Sequence, residues 1–177
     1  MPRMNVYHDR NSPAAARVTL SRMKNTVGTV PALAGVLAGA PGVLDACTNF
    51  MQHIMRSSLG RQECFLVMLV ASREFGNEYC LELATDMAGL NKLPRYVITA
   101  VRNRRSLRKK SYRALAAFVE AVINKGGEIR DEELEAMDKA GYSEQQVLEI
   151  IMAISVAWIW SNVSGVAGLS VDARGAV

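Results

Sequence analysis

Apolar residues recur at steps of three and four along most of the chain, and no stretch alternates apolar and polar positions as a half-buried strand would. A first helix is expected from Pro13, behind Ser12 as N-cap, to about Lys24. Pro31 opens a short second helix ending near Gly39, and Pro41 opens a third that reaches about Ser57. On the third, Val43, Leu44, Cys47, Phe50, Met51 and Ile54 share one face, with His53 beside it as a surface or interface residue. Further helices are expected from Pro94 through Val101, from Ser111 to Asn124 with Leu115, Phe118, Val119 and Val122 inward, and from Asp131 to Lys139.

The stretch from Leu59 to Leu90 organises the rest. Phe65 to Ser72 is almost wholly apolar, the mark of a helix buried on all sides, within a segment expected from Arg61 to Phe75. Gly76-Asn77 then reads as a hinge, because glycine, and to a lesser degree asparagine, accepts left-handed backbone. From Asn77 to Ala88 the pattern turns amphipathic. Tyr79, Cys80, Leu83, Ala84 and Met87 fall on one face, and Glu78, Glu82 and Asp86 fall on another at steps of four.

Ser143 with Gln146 three residues on is a capping box that opens the last helix. Val147, Ile150, Ile151, Ile154, Val156 and Ala157 make that helix apolar nearly all round, so it is expected to be central or covered by another subunit. Trp158 and Trp160, two apart, cannot face the same way. The chain thus divides into a loose arm over 1–12, one helical domain over 13–168, and a tail over 169–177, with fraying expected from Gly165.

Composition narrows the class. The 177 residues are 50% hydrophobic but only 6% aromatic, with nine Met, which suits an all-α core of aliphatic side chains. A net charge of +4 is too mild to argue nucleic-acid binding. The basic run Arg102, Arg104, Arg105, Arg108, Lys109, Lys110 and Arg113 has no groove-reading motif with it, so a solvated face is preferred to an anion or nucleic-acid patch. Cys47, Cys64 and Cys80 are odd in number and widely spaced, which suits a reducing compartment. The first ten residues lack a signal-type apolar core, and the run Ile150 to Trp160 falls short of the roughly 20 residues a bilayer needs. A cytoplasmic protein with no membrane contact is expected. His8 and His53 are the only histidines, and neither sits at ligand spacing with the acidic stripe, so no metal or cofactor is expected.

Several of these segments together resemble the carboxymuconolactone decarboxylase and alkylhydroperoxidase D-like family. Val27-Gly28-Thr29-Val30-Pro31 resembles its Gly-x-x-Pro turn, and Ala140-Gly141-Tyr142-Ser143-Glu144-Gln145-Gln146-Val147 resembles the start of its last helix, where Asn162 also falls in place. The resemblance covers about Ala14 to Ala167 and implies an all-α, oligomeric helical bundle. The peroxidase branch carries a glutamate, eleven residues, Cys-x-x-Cys, three residues and a histidine. Those positions here are Phe65, Asn77, Cys80 and Ala84, so one chemical residue of the set is present. Ala71-Ser72-Arg73-Glu74-Phe75 with Tyr79 is closer in style to the decarboxylase branch, whose histidine would also fall at Ala84.

By resemblance the protein is an antioxidant peroxidase-type oxidoreductase or a lactone decarboxylase, with Cys80, Glu78 and Glu74 as candidate catalytic residues. A dithiol peroxidase needs a thiolate to attack peroxide, a second thiol to resolve the sulfenic acid, and a proton relay. Asn77 cannot resolve, and Phe65 and Ala84 cannot carry protons. Cys64 could substitute as resolving thiol if its Cα lay within roughly 7 Å of that of Cys80. The simpler reading of Cys80 is a small buried core residue, and that of Glu78, Glu82 and Asp86 a solvated stripe. The alternative function is a non-catalytic member that binds a small apolar ligand in a site lined by Phe65, Asn77, Tyr79 and Ala84, or that serves as a homo-oligomeric assembly protein.

Overall fold

The computed structural model describes residues 2–8 and 10–171. Nine α-helices and no strand occur among the described residues: α1 Ala14–Val27, α2 Ala32–Leu37, α3 Pro41–Met55, α4 Arg61–Glu74, α5 Glu78–Leu90, α6 Arg95–Arg102, α7 Lys110–Asn124, α8 Asp131–Lys139 and α9 Glu144–Ala167. Each expected helix is present, with ends shifted by a few residues. Pro13 and Pro31 occupy the N-cap positions of α1 and α2, one residue earlier than the first-turn role their fixed φ suggests.

The centre is α4. Every residue from Cys64 to Arg73 is buried, so the helix has no outward face. It packs against α3, α5, α6, α7 and α9. Burying one such Leu, Val or Met side chain contributes ~1.5–3 kcal/mol, and this run is the largest single block of the core. Gln62 at its start donates to the Lys92 carbonyl at 3.0 Å, just beyond the end of α5. Since the two helices join through a three-residue turn, α4 and α5 form an antiparallel hairpin.

Polar groups fix how the other helices meet α4. Glu149 of α9 accepts from the Ser58 and Leu59 amides at 3.1 and 2.9 Å, which holds the α3–α4 turn. At the other end of α4, Arg73 donates to the Val101 carbonyl at 2.9 Å and to the Glu74 and Glu120 carboxylates. That single guanidinium ties α4, α6 and α7 together.

The two chain ends are held more closely than their composition suggests. The Arg3 amide donates to the Ala167 carbonyl at 2.7 Å and the Tyr7 amide to the Gly35 carbonyl at 3.0 Å. A Cβ at Gly35 would lie 2.6 Å from the Tyr7 carbonyl oxygen, so only glycine lets the segment approach α2. The N-terminal residues therefore lie along α2 and the end of α9. α9 continues through Gly165 to Ala167, and Gly168 caps it in left-handed backbone. Most of the tail, 172–177, lies outside the described residues.

Length and composition alone would let α9 cross a bilayer, which the shorter run Ile150 to Trp160 did not suggest. Ile150, Ala153, Ile154, Val156, Ala157, Ser161 and Ser164 nevertheless face inward, as in a core helix.

Candidate functional site

The joint between α4 and α5 is built as the Gly-Asn pair suggests, with one change. Gly76 sits at φ 67°, in the left-handed region. Asn77 does not share that conformation: its backbone is extended at φ −96° and it serves as N-cap of α5. Its side-chain oxygen accepts from the Cys80 amide at 2.9 Å, and its amide nitrogen donates to the Ser161 carbonyl of α9 at 2.9 Å.

Cys80 lies one turn into α5 and is 1% exposed. Its Sγ is 3.3 Å from the Ser164 Oγ, and Ser164 in turn donates to the Ser161 carbonyl at 3.1 Å. Burial pushes the thiol pKa up, and the hydroxyls of Ser164 and Ser161 offset this only in part. The sulfur is therefore a neutral thiol in a closed contact, the reverse of the exposed, electropositive setting that activates cysteine.

Cys64 stands at the far end of the hairpin. Its Sγ donates to the Ile54 carbonyl at 3.3 Å, and burial raises its pKa as well. At 1.5 Å per residue, the antiparallel arrangement separates the levels of Cys64 and Cys80 by roughly 12 Å along the helix axes. That exceeds the reach of a disulfide, and all three cysteines are free.

The remaining predicted residues are divided between two packing clusters. Phe65 and Ala84 are buried in the apolar cluster around α4, while Tyr79 and Cys80 belong to the cluster formed with α1, α2 and α3. The Tyr79 phenol accepts from the Leu33 amide at 3.1 Å, which fixes α2 on α5. Glu78 is exposed in the first turn of α5, where the helix dipole favours a carboxylate. Glu82 pairs with Arg102, so part of the basic run is neutralised, as are Arg104 by Glu74 and Lys109 by Glu63.

Glu74 has a nearly buried side chain, 8% exposed. Burial alone would raise its pKa, but the hydrogen bond and charge of Arg73, together with Arg104, outweigh it and hold the carboxyl below its ordinary value. An ionised carboxylate locked between two guanidinium groups is poorly suited to hand over a proton near neutrality. His53 is exposed near the end of α3. No cluster of metal-ligating side chains occurs among the described residues.

A cavity of about 280 Å³ opens between α1, α2, α3, α5 and α9. Leu33, Leu44, Met51, Leu83, Met87 and Trp160 form its apolar walls, and Arg22, Thr48 and Gln52 supply polar groups. Its size is near the lower end of small-molecule sites, roughly 300–1,000 Å³. Cys47 also lines it, as a thiol whose pKa burial raises. None of Phe65, Asn77, Tyr79 and Ala84 does. The sequence marks Leu83 and Met87 as an inward face, but not the gap left opposite them by α2 and α3.

No protein-family profile and no curated protein matches the sequence. Solved structures do match in shape. An alkylhydroperoxidase AhpD core protein from Ralstonia eutropha JMP134, described as an uncharacterized peroxidase-related protein, superposes with a TM-score of 0.84 at 16% identity, over 96% of this chain and 91% of that one. The chain has the alkylhydroperoxidase D-like fold. A second uncharacterized peroxidase-related protein with this fold, from Silicibacter sp. TM1040, gives a TM-score of 0.80 at 16% identity, over 93% and 90% of the two chains. The debrominase Bmp8, in a complex with 2,3,4-tribromopyrrole, gives 0.73 at 17% identity over 86% and 82%.

Proposed function

We propose that this protein is a member of the alkylhydroperoxidase D-like family that lacks the dithiol peroxidase cycle and binds a small apolar molecule in the cavity lined by Leu83 and Met87 of α5. The observation that carries this reading is a contrast along one face of α5. The position of the attacking thiol is packed shut against Ser164 with no second thiol in reach, while an apolar cavity with a few polar groups lies against Leu83 and Met87. Concave, mostly apolar sites with a small number of polar groups are the usual form of small-molecule sites. The debrominase of the same fold, seen with a halogenated pyrrole, is a precedent for a small aromatic ligand.

Trp160 lines the cavity and reports on occupancy. In a Trp158→Phe background, titration with 2,3,4-tribromopyrrole or bromobenzene is expected to quench Trp160 fluorescence in a saturable manner through the heavy bromine atoms. Leu83→Phe, which fills the cavity, is expected to abolish saturation. Quenching that stays linear and matches free tryptophanamide would contradict the reading.

A further inference from the structure

From Met87 to Val119 the chain carries nine of its 21 Lys and Arg and no Asp or Glu, so the mild net charge understates this region. In sequence alone such a run is no more than a solvated face. The fold turns it into a track. Arg104, in left-handed backbone at φ 52°, turns the chain back after α6. It pairs with Glu74 at the end of α4, while Lys109 pairs with Glu63 at the start of α4. Those two carboxylates are ~16 Å apart along the helix at 1.5 Å per residue, so residues 104–109 run extended beside it. Buried Leu107 anchors the segment, and Arg113 donates to the Leu107 carbonyl at 2.8 Å. At the Glu63 end, Gln62 bonds both the Lys92 carbonyl and the Tyr112 hydroxyl, which brings the starts of α4 and α7 to the end of α5. Arg61, Lys92, Arg95, Arg105, Arg108 and Lys110 are exposed, and none forms an ion pair among the described residues. The Arg108 guanidinium lies 6.0 Å from the centroid of the Tyr96 ring, which is itself 51% exposed.

We propose that this track binds single-stranded nucleic acid, with phosphates along Arg105, Arg108 and Lys110 and a base stacked on Tyr96. An acidic peptide would use the charge but not the ring. An exposed aromatic face beside a guanidinium is the arrangement that holds an unpaired base by stacking and cation–π attraction. A bilayer surface would need an apolar face to enter. Val97, Ile98 and Val101 of α6 are buried, and the large apolar residues exposed nearby are Leu90 and Tyr96. No groove-reading element accompanies the track, so binding is expected to tolerate sequence and to prefer single strands, whose bases are free to stack.

Fluorescence anisotropy of labelled oligo(dT) and oligo(rU) with the full chain tests this, and the two probes distinguish DNA from RNA as the ligand. Saturable binding is expected at low salt. Raising salt fourfold is expected to weaken it roughly 50-fold, for ~4 phosphate contacts at a slope of ~0.7 each. Arg105→Gln with Arg108→Gln is expected to weaken binding about tenfold and to flatten the salt dependence. Tyr96→Leu is expected to weaken it about fivefold or more with the salt dependence unchanged. Arg17→Gln with Lys24→Gln removes the same charge from α1 and is expected to leave binding as it was. Helical circular dichroism checks that each variant is folded. Absence of saturable binding to either oligonucleotide would overturn the proposal. So would an equal loss in the α1 pair, since net charge and not this surface would then be responsible. Undiminished binding in Tyr96→Leu, or flotation with phosphatidylserine vesicles in place of oligonucleotide binding, would overturn it as well.

Discussion

Asn77 joins the start of α5 to α9 through Ser161, whose carbonyl accepts from the Asn77 side-chain amide at 2.9 Å. The same side chain caps the helix by accepting from the Cys80 amide. Two roles in one residue can be separated by substitution. Asn77→Ser keeps a capping oxygen but cannot reach α9, and is expected to cost about 1 kcal/mol. Asn77→Ala loses both and is expected to cost about 2 kcal/mol. Urea unfolding of the three proteins measures this, and equal stabilities for the two variants would show that capping contributes nothing.

Gly76 and Gly35 are required for different reasons, and the difference is measurable. A Cβ at Gly76 meets nothing within 4 Å, so the cost of Gly76→Val is the left-handed backbone alone, ~1–3 kcal/mol. Gly76→Asn is expected to recover most of it, because asparagine tolerates that region. At Gly35 the obstacle is the Tyr7 carbonyl. Gly35→Ala is therefore expected to release the N-terminal segment and expose it to limited proteolysis, while Gly76→Val leaves that segment protected.

These two glycines also show how far the sequence could be read. Gly76 stands beside Asn77 between two strongly patterned helices, so the turn is visible locally, as are the capping box at Ser143 and the wholly apolar run of α4. Gly35 lies inside a short apolar segment, and its need for a bare backbone arises only when residues 3–7 fold back over α2. The site divides along the same line. The replacements at Phe65, Asn77 and Ala84 are written in the spacing of the sequence. The 3.3 Å contact of Cys80 with Ser164, 84 positions away, and the cavity beside Cys47 depend on how α2, α3 and α9 close over α5. Glu74 stands beside one partner, Arg73, in the sequence, but the other, Arg104, lies thirty residues on and reaches it only in the fold.

The Glu74 pair predicts an acid dependence. The carboxyl pKa is lowered in the folded protein relative to its ordinary value of 4.5. A lowered folded value means that the unfolded chain takes up the proton first as pH falls, so the stabilisation is complete above the ordinary value and is lost as pH drops through the folded value. The melting temperature of the wild type is expected to fall from pH 6 to pH 3, and its advantage over Glu74→Gln to shrink over the same interval. An advantage that stays constant across that range would show that the pair carries no such linkage.

The central claim is that the start of α5 is a packed joint and not a redox centre, and peroxide turnover tests it most directly. Hydrogen peroxide consumption with dithiothreitol as donor is measured for the wild type beside Cys80→Ser and Cys64→Ser. The buried, neutral Cys80 thiol, the absence of a thiol at Asn77 and the apolar residues at Phe65 and Ala84 predict no rate above that of free cysteine, with neither substitution changing it. Sustained turnover in the wild type that disappears in Cys80→Ser would contradict the account.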